Sequence, residues 1–352
     1  MYLFDNKHLL DEYGESCQFN NKPFKKQSKF ILHDECLKAL SNNHRDEYKT
    51  LAKTYQKRND QQLFNIEDYK NENGILRNSL VNNNGIIIKL PNTVFVNGGC
   101  RCKENQLFFD TRNVKKYDKV VSITSLWAGD TWHFPFEAFV ALMALPISTI
   151  KESKIHISKI NNYTLQWLKF LDIDSSQVIT GNIYADEICF PKMGKCGNPY
   201  YEQLLWIKDI MYKNILNTND KQYKYVTLIK RNNRRCLKNF DDLKQVVSKF
   251  AKTVGLELYI HDDKCLPSLV EQHNIFYRSK YVFAAHGAGG INIPAMRKDA
   301  WYVEFLDVNG INICYSRLAY LLDINYMGVP MKNFNVDIGE IKNLMKSIVH
   351  DE

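Results

Sequence analysis

Several features that would place this 352-residue chain in a common class of protein are missing from its sequence. No apolar run approaches the roughly 20 residues of a membrane-spanning helix, and Met1–Leu10 carries charges without the apolar core of a signal peptide. The net charge is +8, but no long basic block interleaved with aromatic residues marks a nucleic-acid surface. We therefore expect a cytoplasmic protein with no transmembrane segment and no nucleic-acid partner.

Metal-binding patterns are missing too. The chain has nine cysteines, but the close pair Cys100 and Cys102 has no second pair that would complete a zinc site. No Asp-x-Asp follows a strand-like run, and "DDK" at Asp262–Lys264 is better interpreted as a polar turn. We expect reduced, structural cysteines, as is usual in the cytosol, and neither a metal nor another cofactor.

The standard nucleotide-binding fingerprints are absent as well. The glycines of "HGAGG" (His286–Gly290) do not satisfy G-x-G-x-x-G, and no Gly-Lys-Ser/Thr follows them as in a P-loop. These absences argue against a Rossmann oxidoreductase and against a P-loop site.

The chain does contain enough apolar material for sizeable cores. Hydrophobic residues make up 45% of the sequence, and its length suits two domains of ordinary size. The first 80 or so residues are mixed and partly helical, and the polar "NTNDKQ" (Asn217–Gln222) is the best linker candidate, where we expect a hinge. The predicted parts are residues 1–216, residues 223–335 and a C-terminal helix over residues 336–352.

In the second half, strands and helices alternate. "YKYVTLIKR" (Tyr223–Arg231) and "KYVFAAH" (Lys280–His286) are typical of buried strands. "NFDDLKQVVSKFAKTVG" (Asn239–Gly255) is typical of a helix that begins with a capping pair, Asn239 and Asp242, and ends at its last glycine. This alternation predicts an α/β domain with a parallel sheet.

The first half is less regular. Its predicted strands cover Gly85–Leu90, Thr93–Gly99 and Asp118–Thr124, and "FPFEAFVALMAL" (Phe134–Leu145) is predicted to form a strongly apolar helix.

A glycine loop follows the strand at Lys280–His286. In a parallel sheet, ligands bind where strands end and loops lead into helices. Gly287, Gly289 and Gly290 let the backbone approach a ligand closely, and the following helix start suits a phosphate. His286 is placed to donate to the same anion. The alternative is a plain tight turn.

Two further elements point to an anion site. "KRNNRR" puts Arg231, Arg234 and Arg235 directly after a buried strand, where guanidinium groups can clamp a diphosphate, although three solvated arginines would look the same. "VEFL" puts Glu304 in an apolar strand, where its carboxylate would bind ribose hydroxyls, pair with an arginine or face water at the sheet edge.

Together, "KRNNRR", "LVEQHNIFYRSKYVFAAHGAGGINIPAM" and "VEFL" resemble glycosyltransferase family 61. The family pattern is an arginine-rich turn, Glu-Gln before a strand, His-Gly-Ala-Gly, an Asn three residues on, and a Val-Glu strand. Upstream, "WHFPFEAFVALMAL" resembles the family's His-Trp-Leu-containing helix near the centre of the chain. The resemblance spans roughly residues 118–330 and departs from the family at Gly290-Ile291, where Leu-Thr is usual.

The resemblance implies a GT-B-type fold, in which two Rossmann-like domains hold a nucleotide-sugar in the cleft between them. It also implies an inverting glycosyltransferase that moves a sugar from a UDP-sugar to a glycan or glycoconjugate hydroxyl without a metal, with UDP-xylose or UDP-N-acetylglucosamine favoured as donor. The donor-binding residues that it implies are Arg231, Arg234, Arg235, Glu271, His286, Gly287, Ala288, Gly289, Gly290, Asn292 and Glu304. A non-catalytic nucleotide-sugar or glycan-binding module is the alternative.

Inversion requires a base that takes the acceptor's proton, and "GDTWHFPFEAF" offers Asp130, His133 and Glu137. Pro135 suits the first helical position, which puts His133 at the positive end of the helix, where a neutral imidazole is favoured. Glu137 would equally serve to stabilise the helix dipole, Asp130 would orient His133 or begin a turn, and His133 itself would otherwise be a buried, hydrogen-bonded residue.

Overall fold

A computed structural model of the chain describes residues 28–57, 63–64, 69–71, 73–89, 93–96, 112–215 and 222–350. It divides into two compact units. The first contains the described residues between 69 and 210, and the second contains those up to 64 and from 211 onward. The predicted linker lies outside the described residues, apart from Gln222.

The first unit contains a mixed sheet with the strand order β4-β3-β2-β8-β5-β6-β7. Strands β5 to β8 run parallel where they pair, and β2, β3 and β4 add an antiparallel edge. The strands are β2 (Asn73–Val81), β3 (Ile86–Lys89), β4 (Thr93–Val96), β5 (Lys115–Ser122), β6 (Lys154–His156), β7 (Val178–Ile179) and β8 (Ile183–Pro191). The helices of this part are α3 (Ile147–Glu152), α4 (Asn162–Lys169) and α5 (Tyr201–Lys213), and the division between the units falls within α5.

The apolar segment predicted as one helix over Phe134–Leu145 is two short pieces instead. Phe134–Ala138 forms a single π-helical turn, and Phe139–Ala144 continues as a 3₁₀ helix. Every residue of the π turn is buried, so tertiary packing and not helix propensity sets the local winding.

The second unit contains the parallel sheet that the strand–helix alternation predicts. Its order is β10-β9-β11-β12-β13-β1, with β14 antiparallel to β13 at the side. The strands are β1 (Phe30–Leu32), β9 (Tyr225–Lys230), β10 (Glu257–Asp262), β11 (Ser279–Ala285), β12 (Trp301–Asp307), β13 (Asn325–Lys332) and β14 (Asn335–Val336). The helices are α1 (Asp34–Ser41), α2 (Asp46–Gln56), α6 (Phe240–Thr253), α7 (Leu269–Tyr277), α8 (Cys314–Leu321) and α9 (Ile338–His350).

The order of this sheet creates a topological switch point. Counted in chain order from β9, the strands lie as 2-1-3-4-5, so the chain first winds to one side of β9 and then to the other. In doubly wound sheets of this order, ligands bind at the carboxyl ends of the two strands that flank the reversal. Here those strands are β9 and β11.

One face of the parallel sheet packs against helices through an apolar cluster. Leu228 on β9, Phe283 on β11 and Phe305 on β12 are fully buried in it, together with Leu243 and Val247 of α6. Complete burial of each such side chain contributes about 1.5–3 kcal/mol to folding, so this cluster fixes the strand ends that carry the site.

Two expectations about chain organisation need correction. Residues 30–32, expected in the N-terminal domain, form β1 and pair in parallel with β13, because an edge strand of the second sheet offers unpaired backbone groups. Asn239 does not cap α6 with its side chain. Its amide instead exchanges hydrogen bonds with the backbone of Val336 at 2.8 and 3.3 Å and so holds β14.

Candidate functional site

The second unit places the arginine turn and the glycine loop side by side. Arg231 comes directly after β9, and His286 directly after β11. Because β9 and β11 are parallel neighbours, both segments emerge at the same edge of the sheet, at the switch point. The two motifs, 55 residues apart in the chain, are joined by a 2.7 Å hydrogen bond from an Arg231 guanidinium nitrogen to the carbonyl oxygen of His286.

Gly287 lies in close contact with the side chain of Arg231. A Cβ at this position would overlap the guanidinium of Arg231. Burial, and then the positive charge of Arg235, lower the pKa of Arg231. A cation that is partly desolvated and next to a second cation is stabilised by any anion that comes between them, so this pair of arginines suits a phosphate.

The other two glycines pack closely against neighbouring side chains. A Cβ on Gly289 would lie 2.8 Å from Cδ1 of Ile229. A Cβ on Gly290 would lie 2.5 Å from Cδ1 of Tyr315 and 2.8 Å from the hydroxyl of Tyr302. The backbone of Ala288–Ala295 winds as a 3₁₀ helix over these contacts. Gly289 and Gly290 are therefore packed too closely for a side chain.

His286 and Glu304 form a buried imidazole–carboxylate pair. His286 Nδ1 lies 2.6 Å from Glu304 Oε1, and Tyr326 donates its hydroxyl to Glu304 Oε2 at 2.8 Å. The Glu304 side chain is 0% exposed and that of His286 is 9% exposed. Because a carboxylate only accepts, Nδ1 donates and Nε2 is left on the side of Cys314, whose sulfur is 3.9 Å away.

The structure therefore gives Glu304 a role that the sequence did not suggest. Glu304 lies on β12, which β11 and β13 flank in register, so its carboxylate is enclosed and does not face water at a sheet edge. It sets the tautomer and orientation of His286 instead. Tyr326 had no sequence signal, because only the register between β12 and β13 brings its hydroxyl there.

Of the remaining predicted donor residues, some lie on the arginine turn or the glycine loop, and one does not. Arg234 and Arg235 are exposed on the turn after β9. Glu271 is not brought to the loop: its carboxylate accepts from the backbone N–H and hydroxyl of Ser268 and caps α7. Its neighbour Gln272 reaches the loop instead, because its side-chain oxygen accepts from the buried Asn292 amide at 3.3 Å.

The first unit contains a second imidazole–carboxylate pair, in the π turn. His133 immediately precedes the turn, and its Nδ1 lies 2.7 Å from Oε1 of Glu137. The Glu137 side chain is 0% exposed, whereas 23% of the His133 side chain is exposed. The backbone N–H of Gly197 donates to the same carboxylate oxygen at 3.3 Å. With Nδ1 donating, the lone pair of the imidazole is on Nε2, the atom that can accept a proton.

Asp130, the third candidate base, is not part of this pair. Its side chain is exposed, and its backbone carbonyl accepts from the N–H of Phe134 at 2.9 Å. Of the two alternatives stated for Asp130, the structure thus shows the one in which it begins the turn. Glu137 is the carboxylate that orients His133.

Cys196 lies beside the same pair. The expectation that the cysteines are reduced is wrong for this residue. It is in a disulfide bond, whose other half lies outside the described residues, while Cys36, Cys189, Cys236, Cys265 and Cys314 are free. His133, Glu137 and Cys196 each place one potential metal-ligating atom within 4.8 Å of the others. A disulfide sulfur is not a thiolate ligand, so the bonded Cys196 does not complete a metal site.

Comparison with known proteins agrees with the geometry. The family model of Glycosyltransferase 61 matches residues 131–303, a segment that includes His133, Glu137, Arg231 and the glycine loop. The chain belongs to glycosyltransferase family 61. As a glycosyltransferase, it uses a sugar donor and an acceptor. A search of curated proteins finds no match. Among the described residues of this family 61 chain, no helix is long and apolar enough to cross a membrane.

Proposed function

We propose that the protein is an inverting, metal-independent glycosyltransferase that moves a sugar from a UDP-sugar to a hydroxyl of a glycan or glycoconjugate. The observation that carries this proposal is the Arg231 guanidinium held against Gly287 and the His286 carbonyl at the β9/β11 switch point. A nucleoside diphosphate is the ligand that best fits two neighbouring arginines beside a loop that a side chain would block.

In this proposal the second unit binds the donor. Arg231 and Arg235 neutralise the diphosphate, and they stabilise the charge that grows on it as the sugar leaves. His286 is held by Glu304 in a defined orientation and positions Arg231 through its backbone carbonyl. UDP-xylose or UDP-N-acetylglucosamine remains the favoured donor on the family resemblance. The two arginines supply the positive charge that a metal would otherwise provide.

In the same proposal the first unit binds the acceptor and supplies the base. His133 Nε2 takes the proton from the acceptor hydroxyl as its oxygen attacks the anomeric carbon. The bond from that carbon to the diphosphate oxygen breaks on the opposite face, so the configuration inverts. Glu137 keeps the imidazole in the tautomer that can accept this proton, and it stabilises the imidazolium that forms.

A GT-B organisation of the two units belongs to the same proposal on the strength of the family resemblance. The cellular location is proposed from the disulfide bond at Cys196. Disulfides are rare in the cytosol, so the bonded Cys196 favours an oxidising compartment over the cytoplasm first expected.

The test is calorimetric titration of UDP and GDP into the wild type and three variants. Arg231→Ala is expected to weaken UDP binding about 10- to 150-fold, the effect of losing one or two charge-assisted hydrogen bonds. Gly287→Ala should weaken it as well, because its Cβ displaces the guanidinium. Lys238→Ala is the matched control, an exposed cation on the segment between β9 and α6 that is not assigned to the site, and it should bind UDP like the wild type.

Two results would contradict the proposal. One is unchanged UDP affinity in folded Arg231→Ala and Gly287→Ala, with folding checked by thermal unfolding. The other is a transfer activity that EDTA abolishes and Mn²⁺ or Mg²⁺ restores. UDP binding without either transfer or donor hydrolysis would instead identify a non-catalytic binding module.

A further inference from the structure

Trp127 is a large apolar side chain that the first unit leaves in contact with solvent. It lies on the loop between β5 and the π turn, and 46% of it is exposed. Trp167 and Trp301, by contrast, are 0% and 2% exposed. A single exposed apolar residue needs no explanation by itself, so its surroundings decide whether it has a role.

The loop that carries Trp127 is held firmly. The N–H of Ser125 donates to Ser158 Oγ at 3.2 Å, and Ser158 Oγ donates back to the Ser125 carbonyl at 3.0 Å. Turn hydrogen bonds also join the backbones of Ser125 and Ala128 at 3.2 Å and of Trp127 and Asp130 at 2.9 Å. The exposure of the indole is therefore part of the fold and not the result of a loose loop.

The position of this loop matches that of a binding site. It follows β5, and the segment to which it is joined follows β6. Strands β5 and β6 are parallel neighbours, so both loops lie at the carboxyl edge of the first sheet, where α/β folds bind their ligands. Ile160, 41% exposed, adds apolar surface on the second of these loops.

The indole also lies beside the base of the proposed reaction. The ring centroids of Trp127 and His133 are 6.4 Å apart, and their planes are inclined by 33°. A pyranose ring has one apolar face of C–H groups and a rim of hydroxyls. Stacking of the apolar face on an exposed indole removes apolar surface from water on both partners and leaves the hydroxyls free to reach a neighbouring base.

We propose that Trp127 is the platform on which a sugar ring of the acceptor stacks, so that one of its hydroxyls lies at His133. This inference rests on the proposed function, because it takes His133 as the base. It adds the chemical class of ligand for the first unit, a neutral pyranose presented by its apolar face, and names the residue that determines acceptor binding.

The experiment is capture of oligosaccharides on a glycan array by the wild type, Trp127→Ala, Trp127→Phe and Ile147→Ala. Ile147, 55% exposed on α3, is the matched control for loss of an exposed apolar side chain. Trp127→Ala is expected to lose about 10-fold or more in affinity for the captured glycans, in line with the removal of one stacked aromatic contact. Trp127→Phe should be intermediate, and Ile147→Ala should equal the wild type.

The array is followed by kinetics with the best-captured glycan as acceptor. Trp127→Phe should raise the acceptor KM with little change in kcat, and UDP affinity should be the same in all variants. The inference is overturned if the wild type captures no glycan, or if Trp127→Ala captures the same glycans with equal affinity. UDP calorimetry distinguishes failure of the proposed function from failure of the Trp127 inference. If the donor proposal is wrong, UDP binding fails. If only the Trp127 inference is wrong, UDP binding is normal and the discrepancy appears on the array and in the acceptor KM.

Discussion

The two units of this protein each contain a histidine whose Nδ1 is bonded to a buried glutamate, and the two pairs differ in almost everything else. The distances are 2.7 Å for His133–Glu137 and 2.6 Å for His286–Glu304. The His133 side chain is 23% exposed, whereas that of His286 is 9% exposed. The first imidazole is therefore partly exposed to solvent, and the second is largely enclosed.

The carboxylates differ in how they are held. Glu304 accepts from His286 with one oxygen and from Tyr326 with the other, so both oxygens have partners. Glu137 accepts from His133 and from the Gly197 backbone through the same oxygen, and within the described part of the chain Oε2 has no hydrogen-bond partner. A fully satisfied buried network rigidifies its surroundings, while a partly satisfied one is costly in stability.

We infer from this contrast that the two pairs have different roles. The enclosed, satisfied pair in the second unit fixes the shape of a loop, as expected for a binding site. The accessible, incompletely satisfied pair in the first unit resembles a group kept for chemistry at the expense of stability. Each of the following predictions tests one side of this comparison.

The largest effect on turnover is expected for the accessible pair. His133→Ala should lower kcat by about 10² to 10⁴, the usual range for loss of a general base, while UDP affinity stays near that of the wild type. Steady-state kinetics and calorimetry on the same preparations measure both. Asp130→Ala is the control, since its exposed carboxylate does not contact His133. Near-normal turnover in His133→Ala would end the assignment of the base.

The enclosed pair should respond in stability. Tyr326→Phe removes one hydrogen bond to the buried Glu304 carboxylate and should lower the free energy of unfolding by about 1.5–3 kcal/mol. Denaturant unfolding measures this change. Tyr259→Phe, a partly buried tyrosine on β10, is the control and should cost less. If Tyr326→Phe were as stable as the wild type, Glu304 would not depend on its second partner.

The two units should also differ in their sensitivity to acid. Burial lowers the pKa of His156 in the first unit to about 4, and in the second unit that of His261 to about 4 and of His273 to about 3. The unfolded histidines titrate near 6.5, so below that pH the unfolded state binds more protons and stability falls as the pH drops toward 4. Each group contributes about 1.4 kcal/mol per pH unit in this window.

We therefore expect the second unit, which has two of these three described histidines, to lose stability more steeply than the first between pH 6.5 and 4. Hydrogen exchange of core amides in each sheet, measured at several pH values, resolves the two units. His156→Gln should flatten the response of the first unit alone. Equal slopes in the wild type would show that one of the buried histidines takes up its proton without unfolding.

The smallest effect is expected from reduction of the disulfide. Cys196 precedes Gly197, whose N–H supports Glu137, so a dithiol should loosen one hydrogen bond of the accessible pair. A loss of about 0.5–1.5 kcal/mol corresponds to about a 2- to 10-fold drop in kcat. UDP affinity should not change, because the described cysteines of the second unit are free. Cys196→Ser should mimic the reductant, and its activity should be insensitive to dithiols.

The sequence by itself determined the parts of this protein that depend on local spacing. Alternating strands and helices predict the parallel sheet of the second unit, which the structure confirms. The motifs around Arg231 and His286–Asn292 predict the family, which the family match confirms. His133 and Glu137 could be named as candidates because both lie at the start of the predicted apolar helix, although Asp130 and not Glu137 was expected to orient His133.

Only the tertiary structure decided the contacts between residues far apart in the chain. Glu304 contacts His286 and Tyr326 because of the register between three strands. Strand β1 joins a sheet whose other strands begin nearly 200 residues later. Asn239 bonds to the backbone of β14 instead of capping its helix. The disulfide at Cys196 and the exposure of Trp127 are of the same kind. Local sequence limits which conformations a segment adopts, but burial and pairing depend on which segments the fold brings together, and many registers satisfy the same local pattern.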